Sequence, residues 1–409
     1  MRKKFTVIKK DTALTLNYGA LALLEHLIFS FQTDDGALHQ LAPEAIATEG
    51  AKIHITFAAH ELLTHSSLTF STADNAVLLS CSLAIKRHPF YRNPALRGIS
   101  SAVISARPTE AFKRWTAIYR HKDWWSRPAF SDTAEYVPDR THVVYAELAG
   151  GEYLHALTLA EGDFASHLAG DDDAISLHLS SFAEGKSEMS AFAIAFAVAS
   201  DPYKAADSVF AYATQTLQLP SYVEHKRRLP LNETLGWCSW DAFYHQVDEK
   251  GVLEKAAELT EKGVPVRWML IDDGWLQQNE QRLTSLEEDR EKFPSGFAEL
   301  IHTLKREHGI QWVGVWHAFA GYWGGIDPAS SLAKAMPNCF YTTANGAMVP
   351  NVIDEGARTF WDRWYGMLRS KGVDFVKVDG QSSVANHYLY DERATVMAQR
   401  AHAALDAAV

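Results

Sequence analysis

The chain has 409 residues, with 39 Lys and Arg against 50 Asp and Glu and a net charge of −11. An acidic surface repels phosphate backbones, so nucleic acid and anionic membrane are excluded as expected partners, and 47% hydrophobic against 22% charged residues exclude a disordered chain. Cys81, Cys238 and Cys339 are scattered without CxxC spacing, which excludes a disulfide framework or a zinc knuckle, and no run reaches the roughly 20 apolar residues of a membrane span. The basic start from Met1 to Lys4 does not read as a secretory signal, because the next apolar stretch, Gly19 to Phe31, comes late and contains Glu25 and His26. A reducing cytoplasm is the expected location. Twelve Trp within 11% aromatic residues, many of them between 237 and 364, suit either a large core or a site that stacks flat rings against sugar faces.

Residues 1–200 read mainly as strands. Lys52 to Phe57 alternates, as does Ser176 to Leu179, while His142 to Leu148 and Ala191 to Val198 are β-rich or small-apolar runs. Period-2 alternation with polar breaks predicts antiparallel sheets with one wet face, most simply a β-sandwich. From 202 to 218 the period becomes helical, with Asp201 as cap and Pro202 in the first turn. Pro220 ends that helix, and the polar, basic segment up to Pro230 reads as a linker whose His225 to Arg228 cluster is a solvated face.

After Pro230 a strand–loop–helix unit repeats. The first strand is Leu235 to Trp240, and the later ones are Val266 to Ile271, Gln311 to His317 and Asp374 to Val378. The helices between them close on Gly263, Gly309 and Gly372, where glycine relieves left-handed strain. A fourth helix runs from about Asp391 to Ala407. Alternation of strand and helix predicts a parallel sheet with helices outside. A closed (β/α)8 barrel needs about 250 residues, more than follow residue 230, so spacing alone leaves a small open α/β sheet and half a barrel as equal alternatives.

Ligands in such folds bind at the carboxyl ends of strands. In the fourth strand Val376 and Val378 share one face and Phe375, Lys377 and Asp379 the other, with Lys377 and Asp379 about 6.6 Å apart along the strand. An ammonium beside Asp379 favours its ionised form, which a glycosidase nucleophile requires. A structural ion pair fits the same pattern. The adjacent Asp272 and Asp273, followed by Trp275, suit sugar hydroxyls, a metal, or plain turn and capping duty. Trp316, facing the same way as Trp312, is either a stacking platform or core, and His317 reads equally as a satisfied histidine. The first strand ends in Trp240 and Asp241, and Cys238 reads as a small buried residue.

Acidic and aromatic residues thus recur at one end of successive strands. The segments GWCSWDAFY (236–244), IDDGW (271–275), VWHAFAGYWGG (315–325) and VKVDGQS (376–382) resemble the raffinose synthase and seed imbibition protein branch of the α-galactosidase-like glycoside hydrolases, family 36. SDPYKAADSVF (200–210) and YRHKDWW (119–125) are similar to its N-terminal half. The resemblance implies a multidomain β plus α/β chain: an antiparallel β-sandwich over 1–200, a helix and linker over 201–230, and over 231–409 about the first four units of a (β/α)8 TIM-type barrel. It implies a retaining glycosidase acting on α-galactosides such as raffinose-family oligosaccharides, without metal or organic cofactor. Asp379 would be the nucleophile. Asp272, Asp273 and Lys377 would hold galactose hydroxyls, and Trp240 and Trp316 would line the pocket. Asp241, His317 and Trp323 match further motif positions. Trp124 and Trp125 are expected to pack in the sandwich core, or else to reach the sugar.

The family's acid/base carboxylate lies on a later barrel strand, beyond residue 409, so a truncated chain is expected, with homo-oligomers formed through unpaired strand edges. An α-galactosyl transferase of the raffinose synthase type and a non-catalytic carbohydrate-binding fragment are the alternatives.

Overall fold

A computed structural model describes residues 3–10, 12–86, 98–133, 136–181, 185–219, 227–388 and 394–409. Its first unit is built mainly from residues up to 226 and its second mainly from residue 227 onward.

In the first unit the alternating segments are strands, Lys52–Phe57, Thr141–Leu148, Ala174–Ser181 and Glu188–Ala199 among them. In Lys52–Phe57 the buried side chains are Ile53, Ile55 and Phe57, the odd members of the alternation. Among the described residues seventeen strands join in one continuous, antiparallel hydrogen-bonded sheet rather than two separately bonded layers. They enclose one apolar core that includes Leu14, Phe29, Phe31, Ile55, Leu68 and Ala193.

The helix Pro202–Thr216 starts as its sequence predicts, with the Asp201 carboxylate accepting from the amides of Tyr203 and Lys204. It is part of this unit. Val209 and Ala213 pack on Ala195, Ala197 and Leu78. That second covering explains why Ala193 to Val198 are all buried instead of alternating. Residues 220–226, where Pro220 and most of the expected linker lie, fall outside the described residues. Trp124 and Trp125 are not core: they are 73% and 46% exposed, at the turn between Phe112–Lys122 and Trp125–Ser131. The Arg127 guanidinium lies 3.9 Å from the Trp125 ring centre instead.

The second unit carries a four-stranded parallel sheet of Leu235–Cys238, Val266–Ile271, Trp312–Ala318 and Phe375–Asp379, ordered in space as in sequence. Growth in one direction is how a barrel wall advances, whereas a doubly wound sheet reverses at a switch point. The connecting helices are Glu249–Glu261, Phe297–His308 and Gly356–Ser370. Their following glycines, Gly263, Gly309 and Gly372, have φ of +66°, +66° and +91°, the left-handed stop that the sequence signals. A last helix, Ala394–Asp406, follows.

Two insertions escape the repeat pattern. A hairpin of Leu276–Asn279 and Arg282–Glu288 follows the second strand, and a pair of Phe340–Thr342 and Met348–Pro350 follows the third. Much of the tryptophan is core: Trp275, Trp316, Trp361 and Trp364 are fully buried.

Candidate active site

The carboxyl ends of the four strands bring together most of the residues the sequence singles out. Asp379 closes the fourth strand, in register with Ala318 of the third. Its Oδ2 lies 3.2 Å from the Trp316 indole Nε1, its Oδ1 accepts from the Gly380 amide at 2.8 Å, and its carbonyl accepts from the Phe319 amide at 2.7 Å. Each carboxylate oxygen therefore carries one donor and keeps acceptor capacity to spare.

Lys377 does not pair with Asp379, as the spacing suggests, but with Asp272. Its Nζ is 2.7 Å from Asp272 Oδ2, which the Cys238 thiol also reaches at 3.2 Å. The reason is geometric: two residues apart, Lys377 and Asp379 point the same way side by side, while the long lysine stem reaches past the third strand to the end of the second. Burial alone would lower the Lys377 pKa, but the hydrogen bond and charge of Asp272, and then Cys238 and Asp379, outweigh it and leave it raised. Asp272 Oδ1 accepts from the Asp273 amide at 2.8 Å, and the Asp272 amide donates to Ser239 Oγ at 2.8 Å.

Asp273 collects donors from two loops. The Tyr322 hydroxyl donates to Oδ1 at 2.7 Å, and Trp323 Nε1 and His245 Nε2 lie 3.0 and 3.2 Å from Oδ2. Both carboxylates are only 2% exposed. Burial first, then Asp273, raises the Tyr322 pKa, so the phenol stays a donor. The backbone must fold tightly here. Gly274 has φ +121°, and a Cβ on it would sit 2.8 Å from the His245 Cα. Lys292 Nζ fastens the same two segments by donating to the carbonyls of His245 (2.6 Å) and Gly274 (2.7 Å).

Trp240 is half-buried, its ring edge-on to Tyr244 and His245 at 5.2 and 5.1 Å. Trp316 is buried, 5.4 Å from Trp323, which is partly exposed. Asp241 lies exposed in the short helix Trp240–Phe243.

His317 is not with this group. It faces the helix side, buried completely, with Nε2 2.8 Å from the Tyr365 hydroxyl and its ring against Trp361 and Trp364. Adjacent strand residues point to opposite faces, so Trp316 inward requires His317 outward. Sequence reading missed Tyr322, His245, Ser239 and the exposed part of Cys238. The first three lie in or beside the quoted segments, but no periodicity marks loop residues that fold back. Among the described residues no three His, Cys, Asp or Glu side chains group so as to hold a metal ion, and no helix is long and apolar enough to cross a membrane.

The chain is 28% identical over 326 residues to a probable galactinol–sucrose galactosyltransferase 6 of Arabidopsis thaliana, covering 66% of this chain and 43% of the relative. A 96-residue stretch, 22% of the chain, is 35% identical to a probable α-galactosidase B of Talaromyces emersonii, of which it covers 21%. The chain spans under half the length of the curated relatives it matches. In fold it is similar to the α-N-acetylgalactosaminidase NagBb of Bifidobacterium bifidum, with a TM-score of 0.61 at 13% identity over 93% of this chain and 70% of that one. The family described as raffinose synthase or seed imbibition protein Sip1 matches residues 100–292 and 278–409, and the chain belongs to that family.

Proposed function

We propose that this chain supplies the sugar-holding and nucleophilic half of a retaining enzyme acting on α-galactosides, its four parallel strands being the first half of a (β/α)8 barrel that follows the antiparallel β unit in the chain. Asp379 attacks the anomeric carbon. A carboxylate outside residues 1–409, about 5–5.5 Å from Asp379, protonates the leaving oxygen and then acts as base. Asp272, Asp273 and Lys377 orient ring hydroxyls, and Trp240, Trp316 and Trp323 form apolar walls.

The observation that carries the reading is Asp379 itself. It sits at the carboxyl end of a parallel strand, steadied by one indole and one amide donor, while the nearby ammonium is taken up by Asp272. A carboxylate whose job was a structural ion pair would hold that ammonium. The test is Asp379→Asn in the complete protein, assayed on an aryl α-galactoside. Near-complete loss of turnover is expected, and retention of most of the rate removes Asp379 from the role.

Transfer to a sugar hydroxyl is the second reading, favoured by the Arabidopsis relative, which is named a galactosyltransferase. NMR analysis of products with and without added sucrose separates it from hydrolysis.

A further inference from the structure

Asp272 Oδ2 receives two donors of unequal strength. The Lys377 ammonium at 2.7 Å is charge-assisted, whereas the Cys238 thiol at 3.2 Å is a weak donor. Asp272 is almost fully covered. A ligand hydroxyl therefore reaches this oxygen only where one of the two gives way, and the thiol is the weaker. Cys238 ends the first strand in register with Leu270, two residues before Asp272 on the neighbouring strand, and is only half-buried.

We propose that Cys238 is a positioning residue whose thiol keeps a place on Asp272 that a sugar hydroxyl takes on binding. This rests on the α-galactoside reading of the site. Serine, a stronger donor of similar shape, would hold the place against the sugar, while alanine would leave it open. Burial, reinforced by Asp272 against a lowering from the Trp240 amide, raises the thiol pKa and keeps the proton on sulfur at neutral pH.

The expected result in the complete protein is a split between two variants. Cys238→Ser raises KM for p-nitrophenyl α-galactoside about three- to tenfold with a smaller change in kcat, and Cys238→Ala leaves KM unchanged or lowers it. Equal increases in both variants, or no change in Cys238→Ser, overturn the proposal. A second measurement needs no variant. Methyl α-galactoside should move one S–H stretching band of the wild-type protein to higher wavenumber, with the buried Cys81 and Cys339 bands fixed. Binding without that shift overturns the role of Cys238 alone. No binding of methyl α-galactoside overturns the α-galactoside reading and this proposal with it.

Discussion

Lys377 Nζ lies 2.7 Å from Asp272 Oδ2, so the ends of the second and fourth strands are tied together past the third strand between them. This link divides the surroundings of two of the site's carboxylates. Asp272 is held by a cation, and Asp379 is left with neutral donors only.

Replacing Lys377 by Met leaves a buried carboxylate without its counter-charge. Loss of one partner of a buried pair is costly, but the lysine side chain is 43% exposed and water screens part of the effect, so about 1–2 kcal/mol is expected. Adding Asp272→Asn should recover part of it. The sign with pH follows from the raised lysine pKa. The contribution is complete below the unfolded value near 10.4 and is lost as pH rises through the higher folded value. Urea midpoints of the single and double variants check this, and an unchanged midpoint in Lys377→Met counts against the link.

His317 gives an acid limb. Burial lowers its pKa to about 4, against a weaker raising by the Ala318 carbonyl. A depressed folded value contributes stability above the unfolded pKa near 6.5, which is lost as pH falls through about 4, on the order of 3 kcal/mol. His317→Gln should flatten the dependence of the urea midpoint on pH between 6.5 and 4. Tryptophan fluorescence, to which the neighbouring Trp361 and Trp364 contribute, is the readout. His155 in the first unit is lowered in the same way and should keep its own limb in that variant.

The legible part of the molecule is the part encoded locally. Lys52–Phe57, the Asp201 cap and the three helix-ending glycines each depend on a few neighbouring residues, and each stands where the sequence puts it. The partner of Lys377 was not legible, because Asp379 is near in sequence while Asp272 lies 105 residues away and becomes near only through the sheet order. His317 was misplaced by following the whole segment 315–325. The alternation of Val313 and Val315 against Trp312, Gly314 and Trp316 already put it on the helix side. His245 and Tyr322 reach Asp273 from loops, where no period tells which way a side chain turns.

Tyr322→Phe removes the donor to Asp273 Oδ1 and leaves a buried carboxylate oxygen unsatisfied. A lost partner of that kind costs about 1–3 kcal/mol, so KM for an aryl α-galactoside should rise roughly five- to 150-fold. Trp323→Phe should cost less, because His245 still serves Oδ2. The reverse order of the two effects would show that Trp323 acts by stacking on the sugar rather than through Asp273.

Asp379→Asn tests the chemistry apart from binding. The amide keeps the size of the side chain, and its oxygen can still accept from Trp316 Nε1 or the Gly380 amide. What it loses is the anion that forms the glycosyl-enzyme bond. The turnover number should therefore fall at least about a thousandfold. The dissociation constant for methyl α-galactoside should stay within about threefold, since Asp272, Asp273 and Lys377 are untouched. Trp316→Phe makes the opposite change: the anion remains but loses one of its two orienting donors, so a far smaller fall is expected. Calorimetry for binding and a chromogenic assay for turnover separate the two quantities. A fall in affinity as large as the fall in turnover would assign Asp379 to holding the sugar instead of attacking it.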